Sequence, residues 1–347
     1  MAAGSEMKIY TTVPVTNPAA AGELFESLES IGYDGAFTYE TRHDPFLPLA
    51  VAATRTERLA LGTAIAIGFA RNPMTLANIG RDLQMASEGR FILGLGSQIR
   101  PHIVNRYSSQ WTRPAARMHE MVRAIRAIWD SWQNGTALSF EGEFYRHTLM
   151  TPAFDPGPNP HGTARIFLAG VQPRMTEVAG EVADGFLAHP FATRKSLAEV
   201  VLPALERGRK RAGRDSEPFE VTAVSLVVTG ESEEQLAATR EVVRKQLAFY
   251  GSTPAYRPTL DCHGWGDLQP QLNAMSKQGR WDEMAGLITD EMLEAIAVVA
   301  LRGDVAAALR ARFDGLVDGV SIENTRDPDP ANFADIVEEL RGGAGSV

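Results

Sequence analysis

Cysteine is all but missing: Cys262 stands alone in 347 residues, so no intrachain disulfide can form. No apolar run is long enough to cross a bilayer. The opening MAAGSEM has no charged stretch followed by an apolar one, so no secretory leader is read there. Residues 1–6 are expected to be a disordered start or a tag remnant. Positive charge is also short. The 34 Lys and Arg against 43 Asp and Glu leave a net charge of −9. That balance argues against a nucleic-acid surface, and an anionic ligand would need a local site. The expected partner is a small molecule, and the expected compartment is the cytoplasm.

Several chemical signatures are absent too. The seven histidines do not fall at metal-ligand spacings, and there is no HExxH or paired Cys-x-x-Cys, so no metal is expected. There is no GK[ST] for a phosphate loop and no GxSxG elbow for acyl transfer. Gly94-Leu95-Gly96 lacks the third glycine of a dinucleotide fingerprint, because Ile99 stands there. Arg302-Gly303-Asp304 spells an adhesion tripeptide, but Asp304 reads as the N-cap of a helix over Val305–Arg312. Cys262, alone, reads as inert.

What is present is alternation. Leu59–Ile67 and Phe91–Leu95 are buried-type runs flanking a helix on which Leu76, Ile79, Leu83 and Ala86 share a face. The same unit recurs. Strands are predicted at Lys8–Val13, Gly35–Tyr39, Leu59–Ile67, Phe91–Leu95, Arg165–Ala169, Gly185–Ala188, Phe219–Val228 and Gly319–Ile322. Helices stand between most of them, including Ala115–Trp132, Pro173–Ala183, Leu197–Arg211 and a last one at Asn332–Leu340. Eight strands alternating with helices close into a TIM (β/α)8 barrel, with a doubly wound open sheet as the competing architecture. A single barrel domain is expected over residues 7–342. Its insertions fall after strands 4 and 7, at about 133–163, with a hairpin at Ala137–His147, and at about 231–301.

In a parallel barrel the ligand lies at the carboxyl ends of the strands. Glu40, His43, Ser97, Gln98, His102 and His189 all fall at or just after such ends. They are candidates for catalysis, against the plain alternative of ordinary loop polarity. The segment Ala169-Gly170-Val171-Gln172-Pro173-Arg174 joins a strand to a helix. Its small residues allow close backbone approach, and the helix N-terminus offers free N–H groups to an anion, with Arg174 adding charge. The alternative is a tight strand–helix turn.

Five segments carry a further resemblance: GYDGAFTYE at 32–40, ERLALGTAIAI at 57–67, RNPMTLA at 71–77, EGRFILGLGSQ at 88–98 and RIFLAGVQPRMTEVAGEVADGF at 165–186. Nearly end to end, the chain resembles the luciferase-like flavin and deazaflavin enzymes, in the branch that uses coenzyme F-420, an 8-hydroxy-5-deazaflavin. The resemblance implies a non-proline cis peptide at Ala64-Ile65, in a bulge ending strand three that backs the deazaflavin ring. It matches Glu40 to the family's acidic residue after strand two, and Gly96-Ser97-Gln98 to the turn after strand four. Ala169–Pro173 matches the phosphate loop after strand five, and His189 a cofactor-phosphate position after strand six. Two departures stand out. Sugar-phosphate dehydrogenases of the family carry Asp-His where this chain has Glu40-Thr41, and a glutamate where it has Ser97-Gln98, so sugar-phosphate oxidation is not expected. Glu40, His43 and His102 are the candidates for proton handling, imidazole being able to gain or lose a proton near neutral pH. The implied activity is hydride transfer between the deazaflavin C5 and an organic substrate. The alternatives are an FMN-dependent monooxygenase and a cofactor-free binding barrel. The insertions would roof the mouth, with Trp111, Tyr250 and Trp265 as aromatic candidates for the pocket. A homodimer through helices beside strands two and three is implied, in keeping with the apolar Phe46–Ala53.

Overall fold

The computed structural model describes residues 6–323 and 326–342. Short β-branched and apolar runs form parallel strands because each is covered on both faces. The barrel strands are β1 (Lys8–Val13), β2 (Gly35–Thr38), β3 (Ala60–Thr63), β4 (Phe91–Gly96), β5 (Arg165–Ala169), β6 (Gly185–Ala188), β7 (Glu220–Val228) and β8 (Gly319–Glu323). They pair in that order, β8 pairs with β1 and β6 with β7, and every pairing is parallel. The sheet therefore closes on itself as the expected (β/α)8 barrel.

Alternation along each strand sorts the core into two parts. Ile9, Val13, Ala36, Leu61, Leu93, Ile166, Leu168, Val320 and Ile322 point outward under the helices. Tyr10, Phe37, Ile92, Phe167 and Leu187 point inward and fill the barrel. The inward rings need room that only glycine gives. A Cβ at Gly62 would lie 2.7 Å from Phe37, one at Gly185 2.5 Å from Phe167, and one at Gly319 2.7 Å from Tyr10. At the amino ends of the strands, Glu220 accepts from Lys8 Nζ at 2.6 Å, Tyr10 OH at 2.6 Å and Arg165 Nη1 at 3.0 Å. Burial would raise that carboxyl, but Arg165, Lys8 and Tyr10 outweigh it and hold Glu220 below the usual carboxylate range. This cluster ties β1, β5 and β7 together at the end of a barrel where stability, rather than chemistry, is built.

The surrounding helices include α1 (Ala21–Ile31), α2 (Leu47–Ala53), α3 (Pro73–Ala86), α4 (Pro114–Asn134), α5 (Pro173–Val182), α6 (Leu202–Ala212), α7 (Glu233–Ser252), α8 (Val305–Phe313) and α9 (Ala334–Gly342). Proline opens α3, α4 and α5, where its missing N–H costs nothing. Between β4 and β5 lies a two-stranded hairpin, Phe140–Glu141 against Arg146–His147. Between β7 and α8, α7 and several shorter helices build a second core. In it Leu236, Val243, Leu247, Leu272 and Leu293 pack with Phe191, Leu226 and Val228, so this block rests on the carboxyl ends of β6 and β7.

Some expectations need correction. Asp304 does not cap α8: it sits in a 3-10 turn, Arg302–Asp304, and makes no side-chain capping bond. The predicted helix Leu197–Arg211 opens with a π-helical turn, Leu197–Val201, before α6. Trp265 stacks on His263 at 4.2 Å and packs on the second core, and Trp111 meets the edge of Phe69 at 5.9 Å. Among the described residues no helix is long and apolar enough to cross a membrane, and no group of His, Cys, Asp and Glu is arranged to hold a metal.

Candidate active site

The inward positions at the carboxyl ends of the strands form a cup. One layer down, Tyr10, Phe37, Ile92, Phe167 and Leu187 are buried. At the mouth, Thr12, Tyr39, Ala64, Ile65, Ala169, His189 and Glu323 keep partial exposure. The side chains on this ring are mostly small or uncharged.

The wall at β3 has a local cause. Gly62 pairs with Ile92 and Ala66 with Leu95, so β3 advances four residues while β4 advances three. The extra residue makes a bulge. Thr63 repairs the ladder there: its hydroxyl donates to Gly94 C=O at 2.7 Å and accepts from Gly94 N–H at 3.0 Å. A Cβ at Gly94 would stand 1.7 Å from the Thr63 carbonyl oxygen. Within the bulge the Ala64–Ile65 peptide is cis, at the place the resemblance implies. The Ala64 N–H donates to Thr38 C=O and the Glu40 N–H to Ile65 C=O, at 2.8 and 3.1 Å, so the bulge stays stitched to β2. Ile65 also fills the space beside Gly96, where a Cβ would come within 2.8 Å of it.

Glu40 follows the inward Tyr39, and the period of two turns it outward. Its Oε2 accepts from the Ile67 N–H and from Arg71 Nη1, both at 2.7 Å, and its Oε1 accepts from Tyr107 OH at 3.0 Å. Arg71 also donates to Asp44 at 3.0 Å. Both carboxylate oxygens are thus engaged, and Glu40 braces the loops around the bulge rather than facing the cup. His43 and His102 are exposed on the rim, in the loop after β2 and in the π-helical turn His102–Arg106. Arg106 donates to the Thr41 carbonyl and ties these two loops together. Gln98 takes a left-handed backbone (φ 58°), and its Oε1 accepts from the Ile99 N–H at 2.9 Å. The Ser97 hydroxyl donates to Gln98 C=O at 3.1 Å.

The loop Ala169–Gln172 leads into α5 as expected. No side chain caps that helix and no acid stands in its first turn, so its first N–H groups stay free for an anion. Gln172 Nε2 donates to Ala255 C=O at 2.6 Å, which pins the segment before Tyr256 over the loop. Arg174 is not in this loop's service. Its Nη1 pairs with Glu177 at 3.1 Å and Glu181 at 2.7 Å, along the helix and away from the N-terminus.

His189 also departs from expectation. Its Nδ1 accepts from the Phe191 N–H at 3.1 Å, and its Nε2 lies 3.0 Å from Tyr256 OH. Tyr256 and Tyr250 close on the ring at 4.4 and 4.8 Å between centroids. Burial pushes its pKa down to about 3. The imidazole is therefore neutral at physiological pH, and it brings neither a charge nor a spare nitrogen to a phosphate. Beside it a cavity of about 20 Å³ is lined by Gly170, Val171, Phe191, Val201, Tyr256 and Thr259 among others.

The sequence reading missed Tyr39, Tyr256 and Glu323, while Tyr250, an expected pocket aromatic, does lie against His189. The signal available for Glu323 was its parity: in GVSIE the inward residues are Gly319, Ser321 and Glu323, the last at the carboxyl end of β8.

Residues 3–319 match the family model described as luciferase-like monooxygenase. An uncharacterized protein of Mycobacterium tuberculosis is 54% identical over 92% of this chain and 94% of its own length. The 5,10-methylenetetrahydromethanopterin reductase of Archaeoglobus fulgidus is 26% identical over 80% of this chain and 81% of its own. Among solved structures, the coenzyme F-420-dependent tetrahydromethanopterin reductase of Methanopyrus kandleri superposes with a TM-score of 0.77 at 20% identity. That match covers 97% of this chain and 98% of the other.

Proposed function

Because the chain belongs to the luciferase-like monooxygenase family, we propose that it is a coenzyme F-420-dependent oxidoreductase acting on a small organic substrate. When bound, the deazaflavin would supply a hydride donor or acceptor at C5, and the protein supplies binding, orientation and a proton. The observation that carries this reading is the wall formed by the Ala64–Ile65 bulge, with Gly94 and Gly96 on the neighbouring strand bearing no side chains. A broad, flat ring system needs such a surface, and Ala169 and Gly170 continue it across the mouth. Ala64, Ile65, Gly96, Ser97 and Gln98 would hold the ring. The loop Ala169-Gly170-Val171-Gln172-Pro173 and the free N–H groups of α5 would take the anionic tail. Glu40, through Arg71 and Tyr107, would keep the wall in place. The block after β7 would keep water from the cup. A relative from Mycobacterium tuberculosis named as a putative coenzyme F420-dependent oxidoreductase, 28% identical over 88% of this chain, supports the choice of deazaflavin over FMN.

The test is a titration of the purified protein with oxidised F-420 and, separately, with FMN, following tryptophan fluorescence. Saturable micromolar binding of F-420 with much weaker binding of FMN is expected. A preference for FMN would move the protein to monooxygenase chemistry, and binding of neither would leave a ligand-binding barrel.

A further inference from the structure

Reduction of a carbonyl compound needs a proton delivered to the substrate oxygen and alcohol oxidation needs one removed, and the rim candidates are either engaged or out on exposed loops. Glu40 points outward into Arg71 and Tyr107, and His43 and His102 are exposed on the loops. His189 faces inward but has both ring nitrogens engaged. One carboxyl remains among the described inward residues at the mouth. Glu323 ends β8, in register with Leu226 of β7, and its strand neighbours Val320 and Ile322 point outward into the helix layer. It is partly exposed at the mouth, whereas Ser321, on the same face one step below, is fully buried. The Ser321 hydroxyl has no hydrogen-bond partner among the described residues. Tyr39, just after β2, and Tyr250 from α7 are the titratable groups that feel the Glu323 charge, and Gln246 Nε2 donates to the Tyr250 hydroxyl at 2.8 Å.

We propose that Glu323, rather than Glu40, His43 or His102, is the group that exchanges a proton with the substrate at the barrel mouth, which rests on the hydride-transfer reading. In reduction of a carbonyl compound, the hydride with its electron pair forms the new C–H bond. The carbonyl π pair takes the Glu323 proton to form O–H. Glu323 is left as carboxylate and the cofactor oxidised by two electrons. Alcohol oxidation reverses each bond change. The environment suits the task. Burial pushes the Glu323 carboxyl above the usual glutamate range, so it can hold a proton where a solvent-exposed glutamate has lost it. Tyr39 and Tyr250 are pushed up by burial first and by Glu323 next, so both stay protonated and add no negative charge beside it.

The test compares infrared spectra of wild type and E323Q without ligand between about pH 5 and 7, where a free glutamate with a pKa of about 4.3 is ionised. A protonated-carboxyl C=O band is expected in wild type, absent from E323Q, retained in E40Q, and shifted when oxidised F-420 is added. E323Q should still bind F-420 about as tightly as wild type, because the wall and the phosphate loop are untouched. In oxidation of reduced F-420 by carbonyl compounds, its kcat should fall by about 10²-fold or more, with KM for F-420 unchanged and the pH profile flattened. If E323Q fails to fold, E323D, which keeps the carboxyl, should restore the band. A missing band, a band that F-420 leaves unmoved, or full turnover by E323Q would overturn the assignment. Failure of wild type to bind F-420 would instead overturn the cofactor reading, while the ligand-free band would still report on Glu323.

Discussion

Glu40 shows how one residue's parity decides its role. Being acidic and at a strand end made it a candidate, but the step from Tyr39 to Glu40 crosses from the inner to the outer face of the barrel. There its carboxylate is 6% exposed and pairs with an Arg71 side chain that is itself 15% exposed. Removing one partner of such a pair leaves a charge stranded. R71A is therefore expected to destabilise the protein by about 3 kcal/mol, the scale measured for breaking a buried pair. Urea unfolding monitored by circular dichroism would check this, and a loss under about 1 kcal/mol, the worth of an exposed pair, would contradict the bracing role. Arg174 and His189 were legible as polar residues in the right loops, but not in their partners. Glu177 and Glu181 lie three and seven residues along α5, and Tyr256 comes from an insertion 67 residues away in sequence. Contacts of that range are set by packing, which periodicity does not report.

At the scale of elements, the bulge between β3 and β4 governs the shape of the cup. The apolar run 59–67 reads as one continuous strand, yet the ladder slips by one residue within it. No propensity marks that slip; only the family resemblance pointed to Ala64-Ile65. The paired signal is Thr63 with Gly94, since the threonine hydroxyl takes over both hydrogen bonds of a residue that cannot carry a side chain. G94A would drive a methyl into the Thr63 carbonyl, and overpacking of this kind costs about 1–3 kcal/mol. The upper end is expected, because the obstacle is backbone and cannot rotate away. A thermal melt of G94A should show the loss together with weaker F-420 binding, and an unshifted melt would mean that the bulge relaxes freely. Asp304 illustrates a milder miss: an acid just before a helix suggests a cap, but a 3-10 turn places it in helical backbone, where its side chain has no N–H to reach.

For the whole molecule, the architecture was legible because eight buried-type runs recur with helices between them, and a parallel sheet of eight closes. The division of the two barrel ends follows the same logic. Glu220 with Lys8, Tyr10 and Arg165 locks the amino end, while small residues and a single inward carboxyl, among the described residues, leave the other end open for chemistry. The roof was less legible. The insertion after strand 7 was expected to cover the mouth, but that Leu236, Leu247, Leu272 and Leu293 share a core with Phe191 and Val228 is set by packing. The claim that unites these features is that the cup holds a deazaflavin against the bulge. A crystal structure with oxidised F-420 tests it most directly. The account predicts the ring against Ala64–Ile65 and Gly96, its C5 edge open toward Glu323, and the phosphate at Gly170–Gln172. A ring bound elsewhere, or a cup that stays filled by protein side chains at saturating F-420, would contradict it.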